Sequence, residues 1–140
     1  LHAWSSVPYT LPTCDFNFSI SPEQFQRFCM PSLQEQARRA GRCLFHLDGP
    51  GASRHAEALA ACPQITAVQY TPGAGTPSAL AKLDMLQSLQ RAGKPIVCMC
   101  PYEELPELVN ALDPRGVVFW PENVGTLDRA EQAMKWVGAD

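Results

Sequence analysis

The chain has 140 residues, of which 46% are hydrophobic and 18% are charged, and its formal net charge is −3. These values are typical of one soluble globular domain, and a chain without a basic stripe is not a general nucleic-acid binder. The longest apolar runs are too short to cross a bilayer, and no basic region followed by an apolar stretch marks a secretory signal.

The cysteine content raises the question of disulfides. Without an export signal, we expect reduced thiols and a cytoplasmic protein. Several of the cysteines have apolar neighbours in predicted strands, where a free cysteine behaves as a small hydrophobe. The six cysteines are Cys14, Cys29, Cys43, Cys62, Cys98 and Cys100.

Residues 1–20 contain prolines and scattered aromatic residues without a sustained period, and we predict an extended segment that packs on a neighbour. A helix is predicted to follow, because residues 21–24 supply an N-cap serine, a proline at the first helical position and a capping-box glutamine. We expect Pro31 to kink this helix and Gly41 to end it.

From residue 42 to the end, short apolar runs alternate with segments of helical period. Predicted strands cover residues 42–48, 65–71, 95–100 and 116–120, and predicted helices cover residues 52–61, 77–92, 102–112 and 127–137. This alternation predicts an α/β domain of four βα units with a parallel sheet, as in half of a (β/α)8 TIM barrel. Four strands cannot close a barrel, so the chain is part of a larger barrel, associates with a second copy, or forms a small open sheet.

The first of these strands carries two polar residues, His46 and Asp48, which a buried strand normally avoids. They are two residues apart, so they point to the same face of the strand, just before the turn Gly49-Pro50-Gly51. Ligands of α/β proteins bind at the carboxyl ends of strands, which makes the pair a candidate catalytic site. The alternative is a core histidine that its aspartate neighbour satisfies.

Other candidate binding residues follow later strands. Gln69 lies amid apolar residues of the second strand, and Glu122 comes just past the fourth strand. Gly73 and Gly75 precede a predicted helix and could present backbone N–H groups to an anion, although a plain βα turn explains them as well. We expect parallel strands to bring Gln69 and Glu122 to the same rim as His46. His55 lies on a predicted helix and is expected at the surface.

Four blocks of the sequence carry a resemblance to a known superfamily through their order and spacing: ISPEQFQRFCMPSLQEQ, LFHLDGPGA, AVQYTPGAG and RAGKPIVC. From Cys14 to Val137 the chain resembles the C-terminal half of the uroporphyrinogen decarboxylase-like superfamily. The resemblance implies a (β/α)8 barrel fold. It also implies one of two activities, which are decarboxylation (a lyase reaction) and cobalamin-dependent methyl transfer to thiols. The arginines and the aspartate that bind the decarboxylase substrate correspond to positions upstream of this chain. None of them is therefore assigned to a residue of this sequence.

The resemblance also implies a metal. In the methyltransferase branch, zinc activates the acceptor thiol, and a His-x-Cys motif on this strand supplies two ligands. Here His46 matches the histidine, whereas Asp48 stands in place of the cysteine and offers a harder oxygen ligand. Cys98 and Cys100 share a face of a later strand and could add a third ligand, or they could be structural cysteines.

Two hypotheses of different classes therefore stand. The first is an enzyme that acts on a small molecule, with His46 and Asp48 as acid and base or as metal ligands, and with a corrinoid protein as partner in the methyltransferase case. The second is a non-catalytic half-barrel that binds or assembles. Unpaired barrel edges and an aromatic N-terminal segment, which includes Trp4, Tyr9, Phe16 and Phe18, favour a homodimer.

Overall fold

The computed structural model describes residues 5–73, 75 and 78–138. Within them, four strands alternate with helices. The strands are β1 (Leu44–Asp48), β2 (Ala67–Thr71), β3 (Ile96–Pro101) and β4 (Val117–Glu122). The α-helices are α1 (Pro22–Gln24), α2 (Met30–Ala40), α3 (Ala56–Ala61), α4 (Leu83–Arg91), α5 (Leu105–Ala111) and α6 (Leu127–Trp136). Short 3-10 turns cover Asp15–Ser19, Ala52–His55, Leu80–Lys82 and Tyr102–Glu104.

The four strands form one parallel sheet in the order β1-β2-β3-β4. Each crossover contains a helix, as parallel neighbours require. The predicted α/β architecture of four βα units is confirmed, and it is consistent with half of a (β/α)8 barrel. The register places His46 opposite Gln69 and Met99 opposite Trp120.

The N-terminal segment lies along the outer edge of β1, parallel to it. Thr10 pairs with Cys43 and Thr13 with His46 in isolated bridges. The His46 amide donates to the Pro12 carbonyl at 3.0 Å, and the Leu44 amide donates to the Thr10 carbonyl at 3.0 Å. The neighbour on which this segment packs is therefore β1 of the same chain. The prediction of unpaired edges is wrong at β1, because the chain covers that edge itself.

The first helix begins and ends where the sequence predicts. The Ser21 hydroxyl accepts from the Gln24 amide at 3.2 Å, and the Gln24 side chain accepts from the Ser21 amide at 2.9 Å, which completes the capping box. Gly41 ends α2 with φ of 80°. Between α1 and α2, the residues Phe25–Cys29 form a π-helical turn just before Pro31. A proline removes a donor, and the helix accommodates it through this bulge.

One face of the sheet packs against the helices. Phe45, Leu47, Tyr70 and Cys98 lie on this face and are almost fully buried in one core cluster with helical side chains such as Leu89. The opposite face, called the open face below, carries the alternate residues of each strand and is only partly covered. A parallel sheet is normally covered on both faces, so the 60% exposure of Val118 on this face is consistent with half of a barrel.

The prediction that His55 lies at the surface is wrong. Its side chain is fully buried, stacks on Phe25 with ring centroids 4.3 Å apart, and its Nε2 donates to the Asn17 carbonyl at 2.7 Å. The reason is tertiary, because the 3-10 turn that ends at His55 packs against the turn Asp15–Ser19. Burial lowers the pKa of His55 below its ordinary value and keeps the ring neutral.

The segment after β2 differs from its prediction. Its helical turns begin with the 3-10 turn at Leu80, and α4 begins at Leu83. The predicted helix start at Pro77 lies outside the described residues, as does Trp4. At the other end of the chain, the Thr126 hydroxyl accepts from the Arg129 amide at 3.3 Å and caps the start of α6. Within the described residues, none of the helices has the length and apolar character that a membrane span needs.

Candidate functional site

Polar side chains from the N-terminal segment, β1 and β2 meet on the open face near the carboxyl end of the sheet. Thr13 of the N-terminal segment pairs with His46 of β1, and His46 pairs with Gln69 of β2. Because paired residues of parallel strands point to the same face, these side chains form a continuous row. Asp48 and Thr71 form the next row toward the carboxyl end. This cluster is the candidate site.

The hydrogen bonds of Gln69 fix the orientation of His46. The Gln69 amide nitrogen donates to the Thr71 hydroxyl at 2.8 Å and approaches the Met99 sulfur at 3.1 Å. Both partners can accept, so the amide oxygen is the atom that faces the His46 ring, where it contacts Nδ1. Nδ1 must therefore carry the hydrogen. In the neutral ring this leaves the lone pair on Nε2.

Asp48 flanks the free ring nitrogen. Its Oδ2 lies 3.8 Å from Nε2 of His46, and the two side chains are 45% and 22% exposed, respectively. The other carboxylate oxygen, Oδ1, is buried and accepts no hydrogen bond from the described residues. The predicted pairing of His46 with Asp48 on one face is therefore present in the structure. The two groups are close enough for electrostatic contact.

Gly73 approaches the same cluster from the loop after β2. A Cβ placed on Gly73 would lie 2.9 Å from the Gly49 Cα and 3.5 Å from Oδ1 of Asp48. The backbone at Gly73 has φ of 80°, which side chains rarely adopt. The turn after β2 therefore packs tightly against the turn after β1, and only glycine allows this approach beside Asp48.

Two predicted binding residues are not part of this cluster. Gly75 is exposed, and a Cβ placed on it would touch nothing within 4 Å. Glu122 shares the open face but lies on β4, three strand spacings or about 14 Å along the sheet from β1. Residues 74, 76 and 77 of the predicted anion cradle lie outside the described residues, and the first described helical turn after Gly75 begins at Leu80.

Sequence reasoning missed Thr13 and Asp15. The Thr13 hydroxyl donates to Asp15 Oδ1 at 2.6 Å, which adds a second carboxylate near the row that contains His46. No spacing within residues 10–15 reveals this, because the pairing partner lies some thirty residues away in the sequence. Met99 was also missed, since a methionine in an apolar strand is normally a core residue.

The predicted metal set is not assembled. The pleat of β3 places Cys98 and Cys100 on the helix-covered face, opposite His46 and Asp48, and both cysteines are fully buried. The pKa of the Cys98 thiol is raised, mainly by a hydrogen bond to Cys100 and to a smaller extent by burial. The raised pKa disfavours the thiolate that metals bind. The described residues contain no group of three or more histidine, cysteine or acidic side chains that could hold a metal ion. His46 and Asp48 alone do not make the three-ligand set of a catalytic zinc site.

Comparison with known proteins gives no assignment. No family model, no curated protein and no solved structure matches this chain. The resemblance to the uroporphyrinogen decarboxylase-like superfamily therefore stays a prediction.

Proposed function

We propose that this chain carries the small-molecule site of a uroporphyrinogen decarboxylase-like enzyme, a lyase or a methyltransferase, in which His46 transfers a proton. The observation that carries the proposal is the His46 ring, which Gln69 holds at Nδ1 while Nε2 stays available beside Asp48. A general base needs an unblocked lone pair, a fixed ring and access to the ligand, and His46 has all three.

The chemistry follows from the fixed tautomer. Nε2 accepts a proton from a thiol, amine or C–H group of the ligand, and the ring becomes an imidazolium. Gln69 keeps its hydrogen bond in both states, because Nδ1 carries a hydrogen in both. The Asp48 carboxylate, 3.8 Å away, stabilises the positive charge on the ring. The ring then returns the proton to the product, and such acid–base steps contribute roughly 10²–10⁴-fold to a rate.

The charges at the site favour some ligands over others. Asp48 lies at the carboxyl end of the open face, and Asp15 accepts a hydrogen bond from Thr13, the partner of His46. None of the strand residues on that face is a lysine or an arginine. A ligand with several carboxylates meets repulsion from them, whereas a neutral or cationic ligand does not. This favours proton transfer with a neutral or cationic substrate, as in methyl transfer to a thiol, over decarboxylation of a substrate with several carboxylates, and no step passes through a metal.

The test is a titration monitored on the histidine rings. Protein with ¹⁵N-labelled histidine is titrated with small thiols, amines and carboxylic acids. We expect thiols or amines to shift the His46 Nε2 signal, and we expect His46→Ala and Asp48→Asn to abolish this binding. The fully buried His55 serves as an internal control, because its signals should not move. Binding that persists unchanged in His46→Ala would contradict the proposal.

A second function, the non-catalytic assembly module, is favoured by the exposure of Val118 on the open face. A homodimer that buries this face would complete the missing half of the barrel. Sedimentation equilibrium should then give a dimer that Val118→Glu dissociates. Met134→Glu on the exposed side of α6 is the control and should leave the dimer intact. A wild-type monomer at tens of micromolar would count against assembly.

A further inference from the structure

Two cysteines adjoin the candidate site without belonging to it. Cys14 lies between Thr13 and Asp15, and Cys29 ends the π-helical turn before α2. Their sulfur atoms are 3.7 Å apart, and both side chains are partly exposed. A disulfide brings the sulfurs to about 2.05 Å, which is within reach of a side-chain rotation from this separation.

We propose that Cys14 and Cys29 are a modification site, at which hydrogen peroxide or another hydroperoxide forms an intramolecular disulfide. The proposal is independent of the proton transfer assigned to His46. The sequence predicts reduced thiols, and these two thiols are close enough to form a disulfide when an oxidant is present.

The Cys14 thiol loses its proton, the thiolate attacks one peroxide oxygen, and the O–O bond breaks. A sulfenic acid forms, and the departing hydroxide takes up the proton that the thiol lost and becomes water. The Cys29 sulfur then attacks the sulfenic sulfur, the S–S bond forms, and the hydroxyl leaves as a second water. Two thiols and one hydrogen peroxide thus give one disulfide and two waters. Burial raises the pKa of the Cys29 thiol to about 11, which disfavours a first attack by that sulfur.

The fold makes this oxidation selective. The other four cysteines, Cys43, Cys62, Cys98 and Cys100, are at most 5% exposed. Burial raises the pKa of Cys43 to about 11, which also suppresses its thiolate. A peroxide in solution therefore reaches the Cys14–Cys29 pair first.

The disulfide would tie the N-terminal segment, which pairs with His46, to the first helix. Closing this short loop raises the melting temperature by on the order of 10 °C, because the unfolded chain loses freedom. The thiol state would thereby set how firmly the segment with Thr13 and Asp15 is held against β1.

The experiment compares peroxide-treated and reduced protein by mass spectrometry after alkylation of free thiols. Trypsin cuts after Arg27 and Arg38, so Cys14 lies in the peptide that ends at Arg27 and Cys29 lies in peptide 28–38. We expect these two peptides to become linked, with a loss of about 2 Da from the intact chain for the two hydrogens removed. The reduced protein should show neither change.

Matched variants make the result decisive. Cys14→Ser and Cys29→Ser should each abolish the link and the rise in melting temperature, whereas Cys62→Ser should retain both. Three outcomes overturn the proposal: both thiols remain alkylatable after treatment, the linked peptides contain another cysteine, or Cys14 is oxidised to a sulfinic acid without any link.

Discussion

Nδ1 of His46 contacts the amide oxygen of Gln69 across the β1–β2 pair. This contact links the two strands on the open face and determines which ring nitrogen faces a ligand. Thr71 and Met99 accept from the Gln69 amide nitrogen and so determine the orientation of the amide group. The tautomer of His46 therefore depends on hydrogen-bonded side chains from three strands. Such networks orient an acid–base group through hydrogen bonds rather than through its own backbone.

The two described histidines should adopt opposite neutral tautomers. His46 donates from Nδ1 to Gln69, whereas His55 donates from Nε2 to the Asn17 carbonyl. Long-range ¹H–¹⁵N correlation spectra near pH 8 should therefore show the Nδ1–H form for His46 and the Nε2–H form for His55. In Gln69→Leu we expect His46 to lose its preference while His55 keeps its own. A wild-type His46 in the Nε2–H form would contradict the proposed base.

Removal of the Gln69 amide should destabilise the fold. Gln69 is 1% exposed, and Gln69→Leu leaves the His46 Nδ1–H without its acceptor. We expect the free energy of unfolding to fall by about 1 kcal/mol in urea denaturation, the usual net contribution of one hydrogen bond. Gln36→Leu on α2 is the control, since Gln36 is exposed, and it should change stability by about 0.5 kcal/mol at most. Equal losses in both variants would disprove a buried network.

The close approach at Gly73 predicts that alanine destabilises the fold more at Gly73 than at Gly75. Both Gly73 and Gly75 have positive φ, but only at Gly73 would an added Cβ meet backbone, at 2.9 Å from the Gly49 Cα. Gly75→Ala should cost about 1 kcal/mol through backbone strain alone. Gly73→Ala should cost roughly 3 kcal/mol, because the turn after β1 must also shift. The free energies of unfolding of the two variants measure this directly, and the same cost in both would remove the steric argument.

Acid should weaken the fold through His55. The folded protein keeps this ring neutral because burial lowers its pKa, whereas the unfolded chain takes up a proton near pH 6.5. Lowering the pH below 6.5 therefore adds protons to the unfolded state first, and stability decreases until the folded-state pKa is reached. The decrease is at most about 1.4 kcal/mol per pH unit for one proton.

Urea denaturation at intervals between pH 8 and pH 5 tests this. Wild-type stability should fall below pH 6.5, and His55→Gln should lose less stability over the same range. If His55→Gln kept the full slope, another group would have to be responsible.

Local order along the chain was predictable from the sequence. The capping box at Ser21, the cap at Thr126 and the alternation of strands and helices all follow from interactions among residues a few positions apart. The shared face of His46 and Asp48 was equally predictable, because the side-chain period of a strand is two. The four βα units and the parallel sheet rest on the same local patterns.

Only the tertiary structure decided which faces and edges meet. Within β3 the sequence showed that Cys98 and Cys100 share a face, but strand register and helix packing place Met99 rather than the cysteines beside Gln69. Likewise, the pairing of Thr13 with His46 and the burial of His55 depend on contacts between distant parts of the chain. Periodicity within one strand is a local property, whereas the choice of its buried face minimises exposed apolar surface over the whole domain.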